Sequence, residues 1–553
     1  MTGLTHAVLR RGAFGSEMTW NFGDILDVAG AVVPADRPAL IHGDRIISWG
    51  ELTRRSNNLA AQLRARGAQP DDKVAFYMRN CPEYPEALVA CLKARLVHVN
   101  INFRYLDDEL HYIIDNSDAR FVVFGEEFAE RVAKLRDRLP KVSRFIQVAD
   151  GAAPPAFAES YEELANAGTG EPLDLERSSD DLLLLYTGGT TGMPKGVMWR
   201  SGDLWDAMGR GANVLNQNAR PESLEQHGEN LRLGGEGVRQ IPACPIMHGT
   251  GLFTAMGTLA GGGTLVTLTA ANFDPHELWG AVERHRVQAI VIVGDAFAKP
   301  LLRALDERPG RYDLSSLVLV LSSGVMWSPE VKQGLLGHSK RLVLVDAFGS
   351  SEAIGFGTSV TTARGKSRSA RFRIGENCKV FSEDGREIQP GSGEPGFVAR
   401  SGPIPLGYYK DEEKTAQTFR TIDGVRYSIP GDWCRVEADG TLTLLGRGSV
   451  CINTGGEKVY PEEIEEALKT HPDVEDAVVV GVTDERWGQA VTGVVELRRG
   501  AELDEERLRQ HVSGQLARFK VPKRIVALDS LGRAENGKAD YARVRELALE
   551  RLG

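Results

Sequence analysis

Short apolar runs rich in β-branched residues recur along the first four-fifths of the chain, at 74–78, 121–124, 182–186, 265–268, 289–293, 317–321 and 342–345. A strand that alternates polar and apolar residues can leave one face in water. A strand that is apolar throughout must be covered on both faces, as in a parallel sheet between helix layers. Amphipathic stretches at 52–66 and 84–92 supply such helices. The alternation predicts an α/β protein of doubly wound sheets, with ligand sites at the strand ends.

The pattern changes near Gly446-Arg447-Gly448-Ser449. Beyond it, Pro461 opens a run with Glu462 and Glu463 in its first turn, a favourable helix start that predicts a helix over 461–469. A strand is expected at 474–481, and Asp504 is placed to cap a helix reaching to about 517. The expected division is a large N-terminal domain, 1–447, and a small, mobile α+β domain, 448–553. One stretch, 213–240, is polar, rich in glycine, asparagine and glutamate and weakly periodic, and reads as a long surface loop or insertion.

Charge and cysteine usage exclude several classes. The chain of 553 residues carries a formal net charge of −10, which argues against non-specific binding of nucleic acid. The six cysteines, Cys81, Cys91, Cys244, Cys378, Cys434 and Cys451, form no C-x-x-C pair, and fit buried thiols in a reducing compartment. Residues 1–20 lack the apolar centre of a signal peptide, no apolar run reaches about 18 residues, and Arg551-Leu552-Gly553 is not a peroxisomal address. A cytoplasmic enzyme without a membrane span is expected, and its oligomeric state is left open.

The chemistry concentrates in Thr187-Gly188-Gly189-Thr190-Thr191-Gly192-Met193-Pro194-Lys195-Gly196, directly after the run 182–186. Glycines let backbone amides approach an anion, threonine hydroxyls add donors and Lys195 adds charge. Together these make a nucleotide-phosphate loop. It is not a Walker A loop, because Pro194 precedes Lys195 and Gly196 follows it, where that motif needs Lys-Ser/Thr opening a helix.

This loop resembles the signature of the adenylate-forming (AMP-binding) superfamily of acyl-CoA synthetases, luciferases and peptide-synthetase adenylation domains. Similarity extends from about Trp20 to Lys538 and is greatest to bacterial FadD-type acyl-CoA synthetases. The resemblance implies ATP, Mg2+ and coenzyme A as cofactors and a small carboxylic acid as substrate. Phe348-Gly349-Ser350-Ser351-Glu352 resembles the family's Tyr-Gly-x-Thr-Glu, which implies adenine stacking by Phe348 and a metal held by Glu352 with Thr187. Gly324-Val325-Met326 resembles the adenine-edge segment. Asp432 resembles the ribose-binding aspartate and Arg447 the arginine on ribose or phosphate, with Pro430 where the family has threonine. His248 falls where the family places a residue between nucleotide and acyl pocket. Gly455 and Gly456 resemble the pantetheine tunnel, and Ser449 the hinge. Lys538 matches the catalytic lysine, although Gly532-Arg533-Ala534 departs from the family's Pro-Arg-Thr.

The implied reaction joins a carboxylate to the α-phosphorus of ATP, then passes the acyl group to CoA. Candidate pocket walls at 293–297 with Trp205, His248, Phe253 and Met326 are mainly apolar, which favours a fatty or sterol side-chain acid. Asp295 reads as a helix cap. A luciferase-like oxygenase, a ligase that loads a carrier protein and an inactive nucleotide-binding regulator remain as alternatives.

Overall fold

The computed structural model describes residues 20–149, 151, 153–187, 193–210, 220–325, 327–365, 371–447, 450, 452–454, 457–484, 488–516, 518–534, 537 and 539–552. Two compact units divide the chain. The first gathers 1–355, 360–367 and 401–428, and the second 356–359, 368–400 and 429–553.

Every run read as a buried strand falls on one: Lys73–Tyr77, Ala119–Gly125, Leu182–Thr187, Thr264–Thr267, Ala289–Ile292, Leu319–Ser323 and Val343–Ser350. The first unit distributes them over two sheets. One has eight strands in the order Gly407–Tyr408, Lys195–Arg200, Leu182–Thr187, Val97–Asn100, Lys73–Tyr77, Ala119–Gly125, Arg144–Val148, Ala158–Ser160. Its pairs are parallel from Leu182–Thr187 onward, and only the first two pairs are antiparallel. The other sheet runs Thr264–Thr267, Arg239–Pro242, Ala289–Ile292, Leu319–Ser323, Val343–Ser350, all parallel. Helices cover these sheets because their own stripes require it. The helix Trp49–Ala65 starts where the Ser48 hydroxyl accepts from Glu51 N at 3.2 Å, and buries Trp49, Leu52, Leu59 and Leu63.

The stretch 213–240 is not one long loop. It contains the helix Leu224–Leu233 and leads into the strand Arg239–Pro242, while 211–219 lies outside the described residues. The Ser223 hydroxyl caps the helix by accepting from Gln226 N. His227 and Gly228 are buried, and a Cβ on Gly228 would lie 3.3 Å from Val28. Leu224 and Leu231 pack on the core, but the face is narrow and partly made by the close approach at Gly228, so the hydrophobic period is weak.

The second unit has an antiparallel ladder of Arg371–Ile374, Thr441–Arg447 and Asp432–Val436, with Pro395–Arg400 paired beyond. Its five-stranded sheet centres on the long pair Val474–Asp484 and Gly488–Leu497. Pro461–Lys469 is a helix with proline at its start, as expected. Asp504 caps Glu505–Ser513, which ends before Gly514, short of 517. Val478, Val494 and Val544 pack one face of this sheet and Ile464, Leu468 and Val491 the other.

Two buried histidines give the first unit an acid sensitivity. His98, whose Nε2 lies 3.1 Å from the Tyr84 hydroxyl, is held by burial at a pKa of about 3. Burial likewise holds His227 at about 4. Unfolded histidine titrates near ~6.5, so between these values the unfolded chain binds more protons and stability falls as pH falls. Each histidine contributes about 1.4 kcal/mol per pH unit across its window. The expected result is a melting temperature that drops from about pH 7 to about pH 5, with a shallower slope in His227→Gln, measured by calorimetry. An unchanged slope would reject the assignment for His227.

Candidate active site

Two paired strands flank the expected phosphate loop. Leu182–Thr187 and Lys195–Arg200 pair antiparallel, with Thr187 opposite Lys195 and Tyr186 opposite Gly196. Gly188, Gly189, Thr190, Thr191 and Gly192 lie outside the described residues. The base of the hairpin is fixed by packing. A Cβ on Gly196 would lie 2.8 Å from the Tyr186 ring, so only glycine fits beneath that aromatic. The buried Asn100 side chain accepts from Tyr186 N at 2.6 Å and donates to Tyr186 O at 2.9 Å and Met247 O at 2.7 Å. One amide therefore joins the residue before Thr187 to the residue before His248. Gly196→Ala is expected to destabilise the first unit by ~1–3 kcal/mol through overpacking, read by urea unfolding. An unchanged midpoint would show that Tyr186 yields freely.

His248 stands at the start of the helix Gly249–Ala260 and is half-buried. Gly324 adopts φ +93°, left-handed backbone that favours glycine. A Cβ there would lie 3.7 Å from Val293 and 4.0 Å from Thr250. Gly324, Val293 and the first turn after His248 are thus neighbours. Val325 is half-buried, and Met326 lies outside the described residues. Two expected pocket walls turn into the core instead. Trp205 packs between Phe22 and His227, and Phe297 against Phe273, because each ring finds aromatic partners there. Asp295 does not cap its own helix, whose cap is Gly294. Its carboxylate instead accepts from Ser328 N at 3.0 Å and the Ser328 hydroxyl at 3.2 Å, at the start of the helix Pro329–His338.

Phe348, Gly349 and Ser350 end the strand Val343–Ser350, with Phe348 buried. A Cβ on Gly349 would lie 3.0 Å from Ala353 O and 3.2 Å from Gly355 N, a crowded position in the tight return of the chain. The buried Trp199 indole donates to Ser351 O at 2.9 Å, tying this segment to the phosphate hairpin. Glu352 follows, 8% exposed. The Tyr408 hydroxyl donates to its Oε1 at 2.7 Å.

Lys195 pairs with Asp411, which also caps the helix Glu412–Thr418 by accepting from Lys414 N at 2.9 Å. The bond from Lys195 holds the Asp411 carboxyl below the usual range. Tyr408, Asp411 and Asn100 were missed in the sequence. Their partners lie 56, 216 and 86 residues away. The only local signal was the unusual run Gly407-Tyr408-Tyr409-Lys410-Asp411.

In the second unit, Asp432 is buried and opens the strand Asp432–Val436, with Arg447 as its Cα partner on Thr441–Arg447. Register alone brings these two sequence-predicted residues together. Gly446, at φ +120°, lies against the Glu462 carboxylate at the start of the helix Pro461–Lys469. Trp433, Leu445 and Tyr460 pack together beside it. Ser449, Gly455, Gly456 and Lys538 lie outside the described residues. The neighbours of Lys538 are well held. Arg533 pairs with Asp476 and donates to Ala477 O at 2.9 Å and Gly537 O at 3.1 Å. Burial pulls the Arg533 pKa down, but its bonds to Asp476 outweigh this and leave it raised.

The first unit is an α/β core in which Thr187 stands opposite Lys195 on paired strands, and these strands are tied through Trp199 and Tyr408 to the segment of the buried Glu352. The profile of the AMP-binding enzyme family matches residues 26–409, and that of the AMP-binding enzyme C-terminal domain matches 463–538. The chain belongs to the AMP-binding enzyme family. A 3-oxocholest-4-en-26-oate–CoA ligase of Rhodococcus rhodochrous is 42% identical over 535 residues, 95% of each chain. A medium/long-chain-fatty-acid–CoA/3-oxocholest-4-en-26-oate–CoA ligase of Mycobacterium tuberculosis is 42% identical over 534 residues, 95% of this chain and 96% of the relative. The solved structure of the anthranilate CoA ligase AuaEII with anthranoyl-AMP superposes with a TM-score of 0.83 at 21% identity, covering 97% of this chain and 99% of that one. That last likeness is one of fold. Among the described residues, no helix is long and apolar enough to cross a membrane.

Proposed function

We propose that this chain is an AMP-forming acyl-CoA ligase acting on a long apolar carboxylic acid, either a fatty acid or a sterol side-chain acid. One observation carries the site assignment: the Thr187/Lys195 hairpin is joined to the Glu352 segment through Trp199 and Tyr408. These contacts tie the strands that flank the expected anion loop to a buried carboxylate. The two ligase relatives, similar over nearly their whole lengths, support the acid and the acceptor.

In this reading the carboxylate attacks the α-phosphorus of ATP, pyrophosphate leaves, and the CoA thiol then displaces AMP from the acyl-AMP. Both partners in the first step are anions, so the protein's work is positioning and charge neutralisation. Residues 187–192 and Lys195 hold the terminal phosphates. Phe348 and the 324–326 segment take the adenine, and Asp432 and Arg447 the ribose. Lys538 balances charge as the bond to phosphorus forms. His248 separates the acyl pocket from the nucleotide.

Glu352 fits a hard cation. Its carboxylate is buried, no cationic side chain among the described residues pairs with it, and one oxygen receives only a neutral hydroxyl. Leaving such a charge without a cation is costly. A single buried carboxylate suits Mg2+, a cation that takes one or two carboxylates and shares the rest with phosphates. When bound with Thr187 and Glu352, Mg2+ would neutralise phosphate charge. Residues 448–553, turning about Ser449, would exchange the Lys538 face for the Gly455–Gly456 face between half-reactions.

Pyrophosphate exchange over a panel of carboxylic acids, repeated with CoA and thioester detection, tests the reading. Exchange with fatty and sterol acids followed by thioester is expected. Exchange without thioester would overturn the CoA half, and no exchange with any acid would overturn the ligase.

A further inference from the structure

We propose that Tyr408 is a positioning residue for cation binding at Glu352, a role that rests on Glu352 being the cation's carboxylate. Glu352 carries three side-chain torsions and, near-buried, has only two described bonding partners. Its backbone N–H donates to the Ser350 hydroxyl at 3.2 Å, and its Oε1 accepts from Tyr408 at 2.7 Å. The Tyr408 bond fixes where the carboxylate plane lies and leaves Oε2 without a donor among the described residues. A neutral hydroxyl is suited to this. It orients the carboxylate without cancelling the charge that attracts the cation, as a lysine or arginine in its place would.

The tyrosine is itself immobilised from several directions. It is 5% exposed, with its ring edge-on to Phe419 at 5.8 Å. Its two-residue strand Gly407–Tyr408 pairs with the phosphate hairpin, Tyr408 opposite Val197 and Gly407 opposite Met198. On either side, Leu406 N donates to Met198 O at 2.9 Å and Tyr409 N to Gly196 O at 2.7 Å. Tyr408 N donates to the Thr415 hydroxyl at 2.9 Å. Gly407, at φ +148°, lies so close to Thr415 that a Cβ would come within 2.4 Å of Cγ2. Three residues on, the same segment delivers Asp411 to Lys195. One short strap therefore holds both Lys195 and the Glu352 carboxylate.

Outer partners of metal ligands are typically worth ~10–100-fold in metal affinity. The test is a Mn2+ titration of the full-length protein with ATP and no acid, followed by the electron paramagnetic resonance of free Mn2+, in wild type, Tyr408→Phe and Glu352→Gln. Tyr408→Phe is expected to raise the Mn2+ concentration needed by ~10-fold or more, while ATP affinity without a divalent cation stays at the wild-type value. Its exchange rate should recover at high Mg2+, which a merely structural defect would not allow. A Tyr408→Phe titration superimposed on wild type would overturn the proposal. So would a loss of ATP affinity of equal size with and without metal. Wild-type Mn2+ binding in Glu352→Gln would instead overturn the metal assignment of Glu352 itself. If Tyr408→Phe does not fold, Thr415→Val, which removes the hydroxyl that receives Tyr408 N, carries the test. It is expected to shift the titration the same way by a smaller factor, and no shift counts against the proposal.

Discussion

Lys538→Ala should slow acid-dependent pyrophosphate exchange by about 10²–10³-fold while leaving thioester formation from supplied acyl-AMP near the wild-type rate. The asymmetry comes from the charge balance of the two steps. In the first, a carboxylate approaches a polyphosphate, and a fixed cation stabilises the transition state more than the separated anions. In the second, a thiol attacks a mixed anhydride whose leaving group is already a stable anion, and on the proposed reading the lysine face is not required. The chain around Lys538 suits a fixed cation. Gly537 O and Ala477 O both accept from Arg533, and Arg533 is anchored on Asp476. The residue on the N-terminal side of the lysine is thereby tied to the strand Val474–Asp484. Equal loss in both half-reactions would refute the exchange of faces between steps. An Arg533→Met variant should reproduce part of the exchange defect with the same asymmetry.

The sheets were legible in the sequence because burial on both faces writes itself as continuous apolar runs, and seven of seven such runs are strands. The helix Leu224–Leu233 was not legible, since only Leu224 and Leu231 pack on the core and a close approach at Gly228 completes the docking, too few apolar positions to set a period. For the candidate site, motif spacing singled out Thr187, Lys195, Glu352, Asp432 and Arg447, and strand register sets Thr187 opposite Lys195 and Asp432 opposite Arg447. The supporting groups escaped. A tyrosine that donates to a carboxylate 56 residues away, or an asparagine that bonds two chain segments at once, leaves no local periodicity or charge signature. Trp205 and Phe297 were misread for the converse reason. A large aromatic near a site motif looks like a pocket wall until its partners in the core are known.

The same long-range logic predicts the largest stability effect. Arg55, 2% exposed on the helix Trp49–Ala65, forms two parallel bonds to Glu86, 0% exposed on Glu83–Lys93, at 2.8 Å and 2.9 Å. Tyr161 donates to Glu86 at 2.9 Å, and the surface residue Glu162 takes two further bonds from Arg55. Burial pushes the Glu86 carboxyl above the ordinary carboxylate range, against the opposing pull of Arg55 and Tyr161. Arg55 has the contrary balance: its carboxylate bonds outweigh burial and keep it protonated. Arg55→Met would leave a fully buried carboxylate with one hydroxyl donor, and is expected to cost ~3–5 kcal/mol. Glu86→Leu should cost less, because Arg55 keeps its bonds to Glu162 at the surface. The double variant replaces a desolvated pair by apolar volume, and such replacements are often neutral or better. It should therefore be more stable than Arg55→Met alone, by several kcal/mol in a double-mutant cycle read from urea unfolding. Additive losses would mean that the two charges are stabilised independently and that the buried pair does not lock these helices together. Pyrophosphate exchange per folded molecule should be unchanged in all three variants, since none of these side chains contacts the phosphate hairpin, Glu352 or Tyr408.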